Sequence, residues 1–126
     1  MLKSRSGDTS PVKTELEERI KKFAVRVVKT VGTFPKTSEG QIIGRQLLKS
    51  GTSIGANSRE ANRAESKDDF VHKVGVAEKE AAETIYWLEI CRETKLGAAE
   101  GMKMLHQEAN ELLAILITIG RKAKKP

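Results

Sequence analysis

Apolar positions recur along this chain at spacings of three and four residues. Leu16, Ile20, Phe23, Val27 and Val31 form the first series, and at helical periodicity they share one face. The spacing predicts a helix over about 11–33, capped by Ser10 ahead of Pro11 or by the Thr14/Glu17 pair. The segment GTFPKTS then breaks the chain, because Pro35 disfavours helical geometry at Phe34. A second series, Ile43, Leu47, Ser50, Ile54, Asn57 and Ala61, predicts a helix over 38–63, with Gln41 at capping-box spacing from Ser38. It runs without a slip through SGTSIGANSREANRAES (residues 50–66), whose glycines and hydroxyls would by composition alone suggest a loop. A loop has no reason to keep a heptad register, so the stretch reads as helix.

A helix built from such residues needs compensation. Each internal Gly costs about 1 kcal/mol relative to Ala, and close approach of a neighbouring helix is what can offset it. Asn57 falls on the core side of the frame, where a buried amide would need partners and could set register; the alternative is a partly wet edge. A third series, Phe70, Val74, Ala77, Ala81, Thr84 and Leu88, predicts a helix over 66–95, with Ser66 as N-cap, Asp68 and Asp69 at its positive end, and Gly97 as its stop. The fourth, Met102, Leu105, Ala109, Leu112, Leu116 and Ile119, predicts a helix over 98–120, stopped by Gly120 and followed by a basic tail, 121–126. Four amphipathic helices with short connections predict an all-α fold, an up-down-up-down antiparallel four-helix bundle forming one domain over 1–126.

Composition narrows the chemistry. No apolar run approaches the roughly 20 residues that span a bilayer, and the polar start of the chain lacks a signal-peptide core. The single cysteine, Cys91, cannot form an internal disulfide, and a cytoplasmic location is expected. A phosphate-binding loop would need Gly directly before Lys-Ser, whereas GRQLLKS places Leu48 there. A di-iron carboxylate bundle needs two Glu-x-x-His pairs, and the nearest matches are Asp69/His72 and Lys103/His106. Cys91 has no evident His partner, and Glu78, Glu80 and Glu83 read as a solvated face. No enzyme, metal site or cofactor is expected.

Two surfaces stand out instead. The net charge is +6. With Ile43 taken as the core direction, Arg45, Lys49, Thr52, Ala56, Arg59 and Arg63 fall within roughly 60° of the opposite direction, and no acidic residue interrupts that stripe. Lys22, Arg26 and Lys29 form a similar group on the first helix, and Arg121, Lys122, Lys124 and Lys125 supply the tail. Cations so spaced can follow phosphates; the ordinary alternative is a solubilising face. With only Tyr86 and Trp87 outside core or turn positions, a base-stacking platform is not expected. The second surface is apolar. ELLAILITIG spreads Leu112, Leu113, Ile115, Leu116, Ile117 and Ile119 over an arc of about 200°, wider than a single bundle core needs. Val76, Trp87 and Ile90 point away from the Phe70/Leu88 face. Val76, Trp87, Ile90, Leu113, Ile115 and Ile117 are therefore the expected contacts of a homo-oligomer.

Residues 34–90 closely resemble the four-helix-bundle proteins of the 23S rRNA intervening-sequence family. The resemblance rests on Phe34-Pro35-Lys36, Gln46-Leu47, Ser50, Ser53-Ile54, Ala56-Asn57, Glu60-Ala61, and Asp69-Phe70 with Lys73. It implies a non-enzymatic bundle assembling as a homopentameric ring. The accessory protein of diversity-generating retroelements is similar in fold and binds nucleic acid together with a reverse transcriptase. The motif transfers no binding residues; the basic stripe is read from the residues alone. Two functions are consistent with this sequence: an oligomeric bundle that binds structured RNA or an RNA–DNA hybrid electrostatically, or a protein–protein adaptor for a partner such as a reverse transcriptase.

Overall fold

The four periodic segments form four α-helices in the computed structural model, which describes residues 11–126, with side chains from Glu15 onward. They are α1 (Pro11–Val31), α2 (Ser38–Asn62), α3 (Lys67–Thr94) and α4 (Ala99–Ala123). Among the described residues there is no strand. Each helix packs mainly on its neighbours in sequence, while α1 and α4 approach each other less closely.

Large and small side chains are unevenly shared in the core. α1 and α4 contribute Ile20, Phe23, Val27, Leu105, Leu112 and Leu116, all buried. α2 and α3 answer with small residues: Ser50, Gly51 and Ser58 on α2, and Ala77, Ala81 and Thr84 on α3. Large side chains facing small ones interdigitate without voids. Phe34 and Leu96, from the turns that flank α2 and follow α3, extend this core at its end.

The glycine- and serine-rich stretch is helix throughout. A Cβ placed on Gly51 would lie 3.0 and 3.1 Å from the two Val27 methyls, and one on Gly44 would lie 3.1 Å from Val31 Cγ1. The missing side chains are thus what let α2 lie against α1. The hydroxyls are satisfied within their own helices: Thr52 donates to Leu48 O (2.8 Å), Ser53 to Lys49 O (2.7 Å) and Thr84 to Glu80 O (2.7 Å). Asn57 is half-buried and donates to Ser53 O at 2.9 Å, so it sits at a wet edge and fixes no register between helices.

Several helix ends differ from the sequence expectation. Thr37, not Ser38, caps α2, its hydroxyl accepting from Gly40 N. Ser66 caps α3 as expected, accepting from Asp69 N. α3 ends with Lys95 in the left-handed region (φ 59°), two residues before Gly97 could act as a stop. Leu96 N donates to Cys91 O at 2.9 Å, the six-to-one bond of a Schellman closure, and both residues join the core. Gly120 does not stop α4. It is buried in the helix, which continues to Ala123, and its bare Cα makes room for Val74 and Glu78 of α3. The side chains of Ser10 and Thr14, the candidate caps of α1, lie outside the described residues.

Candidate nucleic-acid interface

The heptad that buries Leu47, Ile54 and Ala61 turns the opposite face of α2 to solvent. Arg45, Lys49, Ala56, Arg59 and Arg63 are all exposed and Thr52 is half-buried. From residue 45 to 63 the row extends about 27 Å at 1.5 Å per residue. Among the described residues, Arg45, Lys49 and Arg63 make no ion pair. Arg59 does, with Glu17 of α1 at 3.8 Å, a contact between helices that the α2 sequence could not show. Glu60, the acid next to Arg59, is drawn the other way. It accepts from Lys73 of α3 at 2.5 Å and raises that lysine's pKa above its ordinary value, through this hydrogen bond first. Asn62 also donates to Glu17. Glu60 is thus held at the flank by Lys73, Glu17 is shared by Arg59 and Asn62, and the cations of the row are exposed.

The α1 cations do not extend this row. Lys22 and Arg26 line a recess of about 410 Å³ that also contains Glu15, Glu18, Arg19 and Glu108 of α4, so they sit among carboxylates at the α1–α4 seam. Lys29 is exposed near the end of α1. Arg121 and Lys122 occupy the last turn of α4, and Lys124 and Lys125 follow; all four are exposed. Lys67, at the start of α3, donates to Lys125 O at 2.7 Å and adds a cation to this end. Sequence reasoning missed Lys67 because it stands beside Asp68 and Asp69, in a segment read for capping.

At the seam, Arg19 binds Glu108 through Nε and Nη2 and Glu111 through Nη2, all at 2.7 Å. Hydrogen bonding to Glu108 is the main cause that raises its pKa. Beside this clasp lies a cleft of about 530 Å³, lined by Glu15, Leu16, Arg19, Ala114, Ile115, Thr118 and Ile119.

The structure divides the apolar arc of α4. Leu112 and Leu116 are core, Leu113 packs against the core, and Ile115 and Ile119 line the cleft. Val76, Ile90 and Ile117 are half-buried, as is Trp87, which packs against the core and points its Nε1 at Glu83 (3.4 Å). The most exposed large apolar side chains are others: Val25, Val28, Ile42, Tyr86 and Met104. Tyr86 meets Trp87 edge to face with centroids 5.1 Å apart. Among the described residues no three His, Cys, Asp or Glu converge as a metal site, and no helix is long and apolar enough to cross a membrane.

These features define a class: an all-α four-helix bundle whose second helix presents a row of exposed cations. The chain belongs to the 23S rRNA-intervening sequence protein family, whose model matches residues 13–118. It is also similar to a crystal structure from Bacteroides thetaiotaomicron, a protein of unknown function from the S23 ribosomal protein family. The two share 36% identity with a TM-score of 0.78, over 86% of this chain and 97% of that one. No curated protein matches the chain.

Proposed function

We propose that this protein is a non-catalytic, homo-oligomeric bundle that binds structured RNA or an RNA–DNA hybrid through phosphate contacts. The observation that carries the reading is the outward row Arg45, Lys49, Arg59 and Arg63, in which, among the described residues, Arg59 alone is paired, with Glu17 at 3.8 Å, while Glu60 is held by Lys73. Membership in a family named for an intervening sequence of ribosomal RNA supports a role connected with RNA. The up-down-up-down order fits the short turns and the bond from Lys67, opening α3, to Lys125, just past α4. Oligomerisation fits the half-buried Ile115 and Ile117 and the exposed valines of α1. Five copies at +6 each would carry about +30, and such multivalency strengthens binding to a polyanion. The second reading, an adaptor whose basic face docks an acidic protein such as a reverse transcriptase, draws on the same row.

Fluorescence anisotropy with duplex RNA, duplex DNA and hybrid of equal length, at 50–200 mM salt, separates the two. Binding that weakens by orders of magnitude over that range supports nucleic-acid recognition. No binding to any of the three at 50 mM salt excludes it and leaves the adaptor.

A further inference from the structure

We infer that the cleft between α1 and α4 receives the outward ridge of α1 from a second copy of this chain, joined head to tail. The inference rests on the oligomeric reading above and adds which surfaces meet. The cleft has an apolar floor of Leu16, Ala114, Ile115 and Ile119. Its polar lining is Glu15, Thr118 and one guanidinium, Arg19, whose charge is already bound by Glu108 and Glu111 of α4 beside the cleft. What fits is therefore an apolar surface flanked by positive charge.

α1 itself carries such a surface. Val25 and Val28 are 43% and 49% exposed. They share a face with Lys21, four residues before Val25, and Lys29, four residues after it, both exposed. At 100° per residue Val25 lies about 180° around α1 from Leu16 in the cleft. A chain cannot fold this ridge into its own cleft, since both belong to one rigid helix. Nor can a two-fold pair satisfy both surfaces at once, because they face opposite ways. Unlike patches facing opposite ways make a heterologous contact, which propagates into a ring or a filament. A stable interface buries about 800 Å² per partner, roughly a tenth of this chain's 7782 Å² surface. The cleft and ridge would be the centre of a footprint extending along α1 and α4.

The test is a mixing experiment by sedimentation velocity and native mass spectrometry at 100 μM. One variant blocks the cleft at an exposed position, Ala114→Arg; the other charges the ridge, Val25→Glu with Val28→Glu. Circular dichroism checks that both keep their helical content, as surface substitutions should. The wild type is expected to assemble beyond a dimer and each variant alone to run as the 13.9 kDa monomer. The mixture is expected to give a one-to-one complex of twice that mass, since only one intact interface can form. Variants that assemble like the wild type, or a mixture that stays monomeric, would overturn the inference and leave the oligomer standing. So would a wild-type two-fold dimer. A monomeric wild type would remove the oligomeric reading itself, and this inference with it.

Discussion

Replacing Gly51 by Ala tests the packing of α2 against α1, and Gly75 provides the control. Both glycines are helical, so each replacement should gain about 1 kcal/mol from helix propensity alone. Their surroundings differ. The new Cβ at Gly75 would meet no atom within 4 Å, whereas at Gly51 it would press on both methyls of Val27 at 3.0 and 3.1 Å and on its Cβ at 3.4 Å. Val27 is fully buried, and a β-branched residue in a helix holds essentially one rotamer. It cannot swing aside, so the helices must part by a few tenths of an ångström. Overpacking of this kind costs about 1–3 kcal/mol. Gly51→Ala should therefore destabilise by about 1 kcal/mol net, and Gly75→Ala should stabilise by about 0.5–1 kcal/mol. In urea, with a slope near 2 kcal/mol per molar, their midpoints should lie about 1 M apart. Protein concentration is held fixed, because assembly shifts apparent stability. Combining Gly51→Ala with Val27→Ala should restore the propensity gain, a coupling of about 1–3 kcal/mol. Equal midpoint shifts for the two glycine variants, or no coupling to Val27, would refute the close contact between α1 and α2.

Further predictions concern helix ends, the buried thiol and the clasp. Lys95→Gly should stabilise by about 0.5–1 kcal/mol by relieving its left-handed backbone. Ala98→Ser should add about 1 kcal/mol, because the N-cap of α4 has no side-chain bond; thermal melts read both. Burial pushes the Cys91 thiol up to about 11. Native protein should resist iodoacetamide at pH 8 and react once unfolded. Because the folded pKa lies above the unfolded value, this group's stabilisation is full below about pH 8.5 and is lost as pH rises towards 11. Urea midpoints at pH 8 and 10 check the direction. Arg19→Ala should cost about 1 kcal/mol at low salt and less at 1 M salt, since Arg19 is 38% exposed and screened.

The heptad of α2 was legible through its least helical stretch because Leu47, Ile54 and Ala61 keep register across Gly51 and Ser53. Ser66 was legible as a cap because it precedes two acids at the start of a periodic run. Gly120 was misread. A glycine near a helix end can serve a left-handed turn or a close approach, and only the position of Val74 and Glu78 distinguishes them. Lys95 shows the converse, a left-handed residue with no sequence mark. The exposure of the α2 cations followed from the wheel, but the Glu17–Arg59 pair and the withdrawal of Lys22 and Arg26 to the α1–α4 seam depend on how helices distant in sequence meet. Likewise the wide apolar arc of α4 resolves into core and cleft only once α1 is in place.

The most direct test of the account is the salt dependence of binding to a duplex, for the wild type and for a variant with Arg45, Lys49 and Arg59 changed to Glu. Each lost phosphate contact should lower the slope of log affinity against log salt by about 0.9 on duplex DNA. The account predicts weaker binding, a slope flatter by about 3 for each bound protomer, and unchanged helical content. A variant that binds with the wild-type affinity and slope would show that the basic face of α2 does not contact nucleic acid.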